Sequence, residues 1–96
     1  MSNFDVAHIR EQGQQMIIVP LNSNFHFQTP TQRQATIDAL QACARSARLA
    51  GRVVPVWLHA GSMYFIAPSQ WRPFFQSLSW NDIMANINGT LTCTDR

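Results

Sequence analysis

The chain has 96 residues, of which 46% are hydrophobic and 12% charged, with a net charge of +2 at pH 7. That length suits one domain, which buries roughly 60–65% of its unfolded surface on folding. A charge of +2 is too weak by itself to indicate a nucleic-acid binder, and no apolar run nears the ~18 residues of a bilayer span, so no membrane partner is expected. Solvation falls largely to amides, with nine Gln and six Asn, and a surface poor in charge tolerates association. The side-chain cations are seven Arg and no Lys, which reads either as genome composition or as a taste for planar, two-pronged contacts. No apolar secretory core precedes Cys43 and Cys93, so a cytoplasmic location and reduced thiols are expected.

Residues 1–14 (MSNFDVAHIREQGQ) predict a short amphipathic helix or a loosely attached arm, with Asn3 as cap and Gly13 as stop, ahead of a single domain over 15–96. Residues 15–21 (QMIIVPL) predict a strand whose run of Met16, Ile17, Ile18 and Val19 lacks alternation, the pattern of burial on both faces. A loop over 22–29 carries Phe25, His26 and Phe27. Thr29 then caps a long helix with Pro30 in its first turn, and Gly51 is read as its end. Ile37, Leu40, Ala44 and Ala47 give that helix one apolar stripe. Residues 52–58 (RVVPVWL) and 63–67 (MYFIA) predict a hairpin turned by His59-Ala60-Gly61-Ser62. After Pro68, a short helical turn starts at Pro73, and Ser79 with Asp82 approximates a capping box for another helix. TLTC (90–93) alternates as an edge strand should.

The resulting order, β-α-β-β-α-β, is met most often by the ferredoxin-like α+β sandwich with a four-stranded antiparallel sheet. Residues 15–21 and 63–67 would be its central strands. Pro55, which cannot donate to a ladder, and TLTC would mark the edges. Two helices on one face would leave the other open and apolar, a patch on the order of several hundred Å². The expected cover is a second copy, giving a homodimer through the open sheet face.

No motif announces chemistry. His8, His26, His59, Cys43 and Cys93 show no metal-ligand spacing, and no cofactor, metal or catalytic residue is assigned. Ser62 beside His59 lacks a strained nucleophile elbow, and four separated glycines each read as a turn or stop rather than a phosphate cradle. Gly61-Ser62-Met63-Tyr64-Phe65-Ile66 resembles the aromatic central strand of the RNA recognition motif. No basic residue stands immediately before Gly61, however, and MIIV offers no ring to stack a base.

Two segments read as recognition surfaces: the loop with Phe25, His26 and Phe27, and Trp71-Arg72 between Pro68 and Pro73. The expectation is a homodimeric interaction or regulatory module without catalytic activity, binding a protein or small ligand. The alternatives are a small enzyme or ligand binder at the dimer interface using His26 or His59, and a nucleic-acid binder using Arg33, Arg45, Arg48 and Arg52.

Overall fold

In the computed structural model, which describes residues 2–93, the chain opens with a strand instead of an arm or helix. Strand β1 (Ser2–Glu11) turns back into β2 (Gln14–Pro20), and the two pair antiparallel from Ala7 opposite Ile18 to Glu11 opposite Gln14. Gln12 (φ 51°) and Gly13 (φ 78°) both take left-handed backbone, as a two-residue hairpin turn requires to match the twist of its strands. The alternation of β1 is easy to overlook, because Phe4 and Val6 face one side of the sheet while Ala7 and Ile9 face the other. Val6 and Ala7 are buried on opposite faces, while Asn3, Asp5 and Arg10 are exposed and interrupt any apolar run.

From β2 the chain crosses through α1 (Pro30–Ser46) to β3 (Arg52–His59), which lies parallel to β2 with Met16 opposite Arg52 and Pro20 opposite Val56. Thr29 caps α1, and its reciprocal partner is Gln32: the hydroxyl accepts from Gln32 N–H (3.1 Å) and the amide oxygen accepts from Thr29 N–H (3.0 Å). The helix ends at Ser46, short of Gly51, because Arg48 turns left-handed (φ 60°). Arg48 N–H then donates to Arg45 O (3.0 Å) and Leu49 N–H to Ala44 O (2.9 Å), with Leu49 tucked against the core. Gly51 (φ 126°) serves a different need: a Cβ there would sit 2.7 Å from the carbonyl oxygen of Gln15 on β2.

Strand β4 (Ser62–Phe65) pairs antiparallel with β3 across the Ala60-Gly61 turn, with Tyr64 opposite Trp57. A 3-10 turn (Ser69–Trp71), α2 (Arg72–Gln76) and α3 (Trp80–Ala85) follow. Ser79 and Asp82 cap α3 reciprocally, at 3.1 and 2.8 Å. β5 (Gly89–Cys93) returns to pair antiparallel with the first half of β1, Ser2 opposite Cys93 and Val6 opposite Gly89.

The sheet therefore has five strands in the order β4-β3-β2-β1-β5 and is mixed, which overturns the four-stranded antiparallel ferredoxin-like arrangement. Strand 52–59 lies beside β2, where 63–67 was expected, and β1 separates β2 from β5. Pro55, read as an edge marker, is fully buried in an interior strand. Its backbone shows why this is tolerated. Pro55 O accepts from Ile66 N–H (3.2 Å) on the β4 side, while Val56 O accepts from Leu21 N–H (2.8 Å) on the β2 side. A residue's nitrogen and carbonyl project to the same neighbour, so the missing donor of Pro55 faces β4, which has already ended at Phe65.

Each face of the sheet is covered by the chain itself. Against α1 lie Val6, Ile17, Val19, Val53 and Leu91, with Leu40 and Ala44 from the helix. On the other face Ala7, Met16, Ile18, Val54 and Val56 pack under Trp71, Phe75 and Ile83. The unalternating strands are explained without a second copy, and the open face on which a homodimer was expected is filled by the 3-10 turn, α2 and α3. Cys43 of α1 and Cys93 of β5 form a disulfide with Cα atoms 5.4 Å apart, so the thiols expected as reduced are joined. Both are small apolar side chains on facing surfaces of one layer, a proximity that a sequence separation of 50 conceals. No helix among the described residues is long and apolar enough to cross a membrane.

Candidate functional site

The site grows from two local structures at the carboxyl ends of β2 and β3. Beyond β2, Asn22 begins a 3-10 turn (Ser23–Phe27) by accepting the N–H of Asn24 on its side-chain oxygen (2.8 Å). In β3, Trp57 and His59 share the parity of Val53 and so face the α1 side. Tyr64, opposite Trp57, joins them on that face. The 3-10 turn lies over this end of the hairpin and lays three more rings on it.

Buried Phe25 meets Trp57 edge to face, with centroids 4.9 Å apart. His26 stacks on His59 at 3.7 Å with only 8° between the ring planes. Phe27 stands edge-on to both imidazoles, at 5.5 and 5.4 Å. Tyr64 closes the group, 4.9 Å from His26 and nearly parallel to Trp57 at 5.9 Å. Contacts of this geometry contribute about 0.5–1.5 kcal/mol each beyond simple burial.

Arg33, in the first turns of α1, fixes the turn from below. Its Nε donates to Phe25 O (3.2 Å) and its Nη2 to His26 O, while the guanidinium lies 5.2 Å from the Trp57 ring centroid and 5.7 Å from that of Phe25. Two of its nitrogens thus hold the backbone of the turn. Trp57 Nε1–H donates to His26 Nδ1 (3.2 Å), which assigns the neutral ring's proton to Nε2. Desolvation, then the neighbouring His59 and then Arg33, hold the His26 pKa below its ordinary 6.5, so this imidazole is neutral at physiological pH.

The outer surface of the cluster is unusually apolar for an exposed position. Phe27 is 75% exposed and Tyr64 40%. Chemically, the arrangement offers ring faces and edges, an imidazole N–H and a phenol. Parallel imidazoles present their faces to one another instead of converging lone pairs on one point, which does not suit a metal. Among the described residues no group of three or more His, Cys, Asp or Glu side chains is placed to hold a metal ion.

Phe25, His26 and Phe27 thus come together as one surface, although Phe25 serves as its buried floor. Trp71 and Arg72 do not join it. Trp71 is 9% exposed, packed with Phe75 and Ile83 on the opposite face of the sheet, whereas Arg72 beside it reaches solvent. The four arginines are also divided. Arg33 is turned inward at one end of α1. Arg45, twelve residues further along, is about 18 Å away by helical rise, close to exposed Arg48 and Arg52 at the far end.

Trp57 and Tyr64, taken with Arg33, make up the part of the site that sequence reasoning did not assemble. A signal existed: a two-residue Ala60-Gly61 turn fixes the hairpin register, which sets Tyr64 against Trp57 and both on the side of His59. Comparison of the chain with protein-family models, with curated proteins and with solved structures finds no match.

Proposed function

We propose that this domain is a non-catalytic protein-interaction module whose recognition surface is the face formed by Phe27, His26, His59 and Tyr64. The observation that carries this reading is Phe27, a phenylalanine 75% exposed on a turn that is otherwise pinned by side-chain hydrogen bonds. A large apolar ring held out rigidly loses little conformational freedom on binding, which is the economy of a binding hot spot. The imidazoles and the phenol around it favour an apolar or aromatic anchor from a partner, with hydrogen bonds at the rim.

Nucleic acid fits this surface less well. Stacked bases bring phosphates, whereas Arg45, Arg48 and Arg52 stand toward the opposite end of α1 and Arg33 is tied to the backbone of the turn.

The test compares wild-type protein with Phe27→Ala and Tyr64→Ser as baits, and with Arg45→Gln/Arg48→Gln as a control. The expected result is a partner held by wild type and by the arginine variant, weakened at least tenfold by Phe27→Ala, which still unfolds cooperatively at a somewhat lower melting temperature. Equal retention by Phe27→Ala and Tyr64→Ser would remove the proposed surface. Light scattering of the free protein reads the remaining outcome, in which the occupant of this face is a second copy.

A further inference from the structure

We propose that His26 is an acid-sensitive latch, in which a proton on its Nδ1 frees the 3-10 turn from the β3–β4 hairpin and dismantles the exposed aromatic face. The geometry leaves that nitrogen one role. It accepts the indole N–H of Trp57 at 3.2 Å, and protonation would set two N–H donors against each other at the same place. The imidazolium cannot satisfy itself by staying where it is. The titratable and charged groups facing it are His59 from β3, stacked at 3.7 Å, Tyr64 from β4, at 4.9 Å, and Arg33 from α1, bound to the carbonyl of His26 itself. None of the three is a carboxylate, so a proton on His26 finds no acidic side chain among them and faces the guanidinium of Arg33.

The direction follows from linkage. The closed turn holds the His26 pKa below 6.5, whereas a released turn returns it to the ordinary value, so the released form binds more protons as pH falls through that window. Closure is therefore most favoured above the ordinary pKa and weakens as pH drops below 6.5 toward the depressed value. Phe27 rides on the same turn, with its ring against both imidazoles, and loses its support when His26 leaves the stack. The biological meaning of the latch rests on this face being the recognition surface. The opening itself needs no partner to be seen.

The experiment is a pH titration of the free protein by nuclear magnetic resonance, following the Trp57 indole N–H, the His26 ring carbon between its nitrogens, and backbone amides of 23–27. The expected result is a single His26 midpoint below 6.5, at which the Trp57 indole signal moves and exchanges faster with solvent. Amides of the turn should shift with it, while those of Ile17 and Val54 stay fixed. In Trp57→Phe the His26 midpoint should rise, because its acceptor role is gone, and in His26→Phe the Trp57 signal should ignore pH. A His26 midpoint at or above 6.5, an indole signal indifferent to it, or collective loss of core amides would each overturn the latch. If Phe27→Ala abolishes partner capture while the indole ignores pH, the latch falls and the recognition surface stands. If the latch titrates and Phe27→Ala captures as well as wild type, the recognition reading falls and the latch remains.

Discussion

Removing the Cys43–Cys93 bond should destabilise this domain more than any exposed substitution. The bond ties α1 to the edge strand β5 and closes a loop of 50 residues. In the chain-entropy treatment, a loop of that size removes roughly 14 cal/mol/K from the unfolded ensemble, about 4 kcal/mol at 25 °C. The folded state of so small a domain is worth roughly 5–15 kcal/mol in total, so the reduced protein should retain only a thin margin. A loss of that size in a domain of this length corresponds to a fall in melting temperature of roughly 15–30 °C. The assay is urea unfolding by far-ultraviolet circular dichroism, with and without reductant, on wild type and on Cys43→Ala/Cys93→Ala. The wild-type midpoint should drop on reduction to near that of the double variant, which should itself ignore reductant. Two free thiols titrating in denatured, unreduced wild type, together with a midpoint insensitive to reductant, would refute the reasoning.

Three further perturbations test the packing and backbone. Gly51→Ala forces a Cβ to 2.7 Å from the Gln15 carbonyl oxygen at a left-handed φ, and should destabilise by about 1–3 kcal/mol in urea melts. Arg48→Gly, at φ 60°, relieves the one strained residue of the α1 terminus and should raise stability by about 0.5–1 kcal/mol, with a melting temperature a few degrees higher. Phe75→Ala empties the fully buried centre of the second face and should lower stability by about 3–5 kcal/mol, visible as loss of cooperative unfolding or of soluble expression.

The sequence carried its local structure well and its long-range order poorly. Thr29, Ser79 and the Ala60-Gly61 pair act through neighbours three or four residues away, so their roles could be read directly and are realised as caps and a turn. The two-faced burial of β2 was equally legible, since Met16 to Val19 has no period. What covers each face was not. Strand β1 holds only Phe4, Val6, Ala7 and Ile9 against polar neighbours, and its pairing with β5 joins residues some ninety positions apart, which no local pattern encodes. Pro55 misled for a related reason, because its harmlessness depends on where β4 stops. The site divides along the same line. Phe25, His26 and Phe27 are consecutive and stand out as rings in a loop, whereas Trp57 and Tyr64 belong to the surface only through the register of a hairpin. Trp71 reads as a display because prolines flank it, yet a domain with two apolar faces needs large rings inside, and Trp71 is one of them.

The double engagement of β1 bears on how the chain can be made. Residues 7–11 pair with β2, which follows within a few residues, but residues 2–6 pair with β5, more than eighty positions further along. During synthesis residues 2–6 must therefore wait for partners that follow more than eighty positions later. Until Gly89–Cys93 arrives, Phe4 and Val6 lie along an unpaired edge, the kind of exposed strand that recruits other chains. The nascent protein is most vulnerable to association before Gly89–Cys93 is released, and removal of β5 should convert a transient hazard into a permanent one.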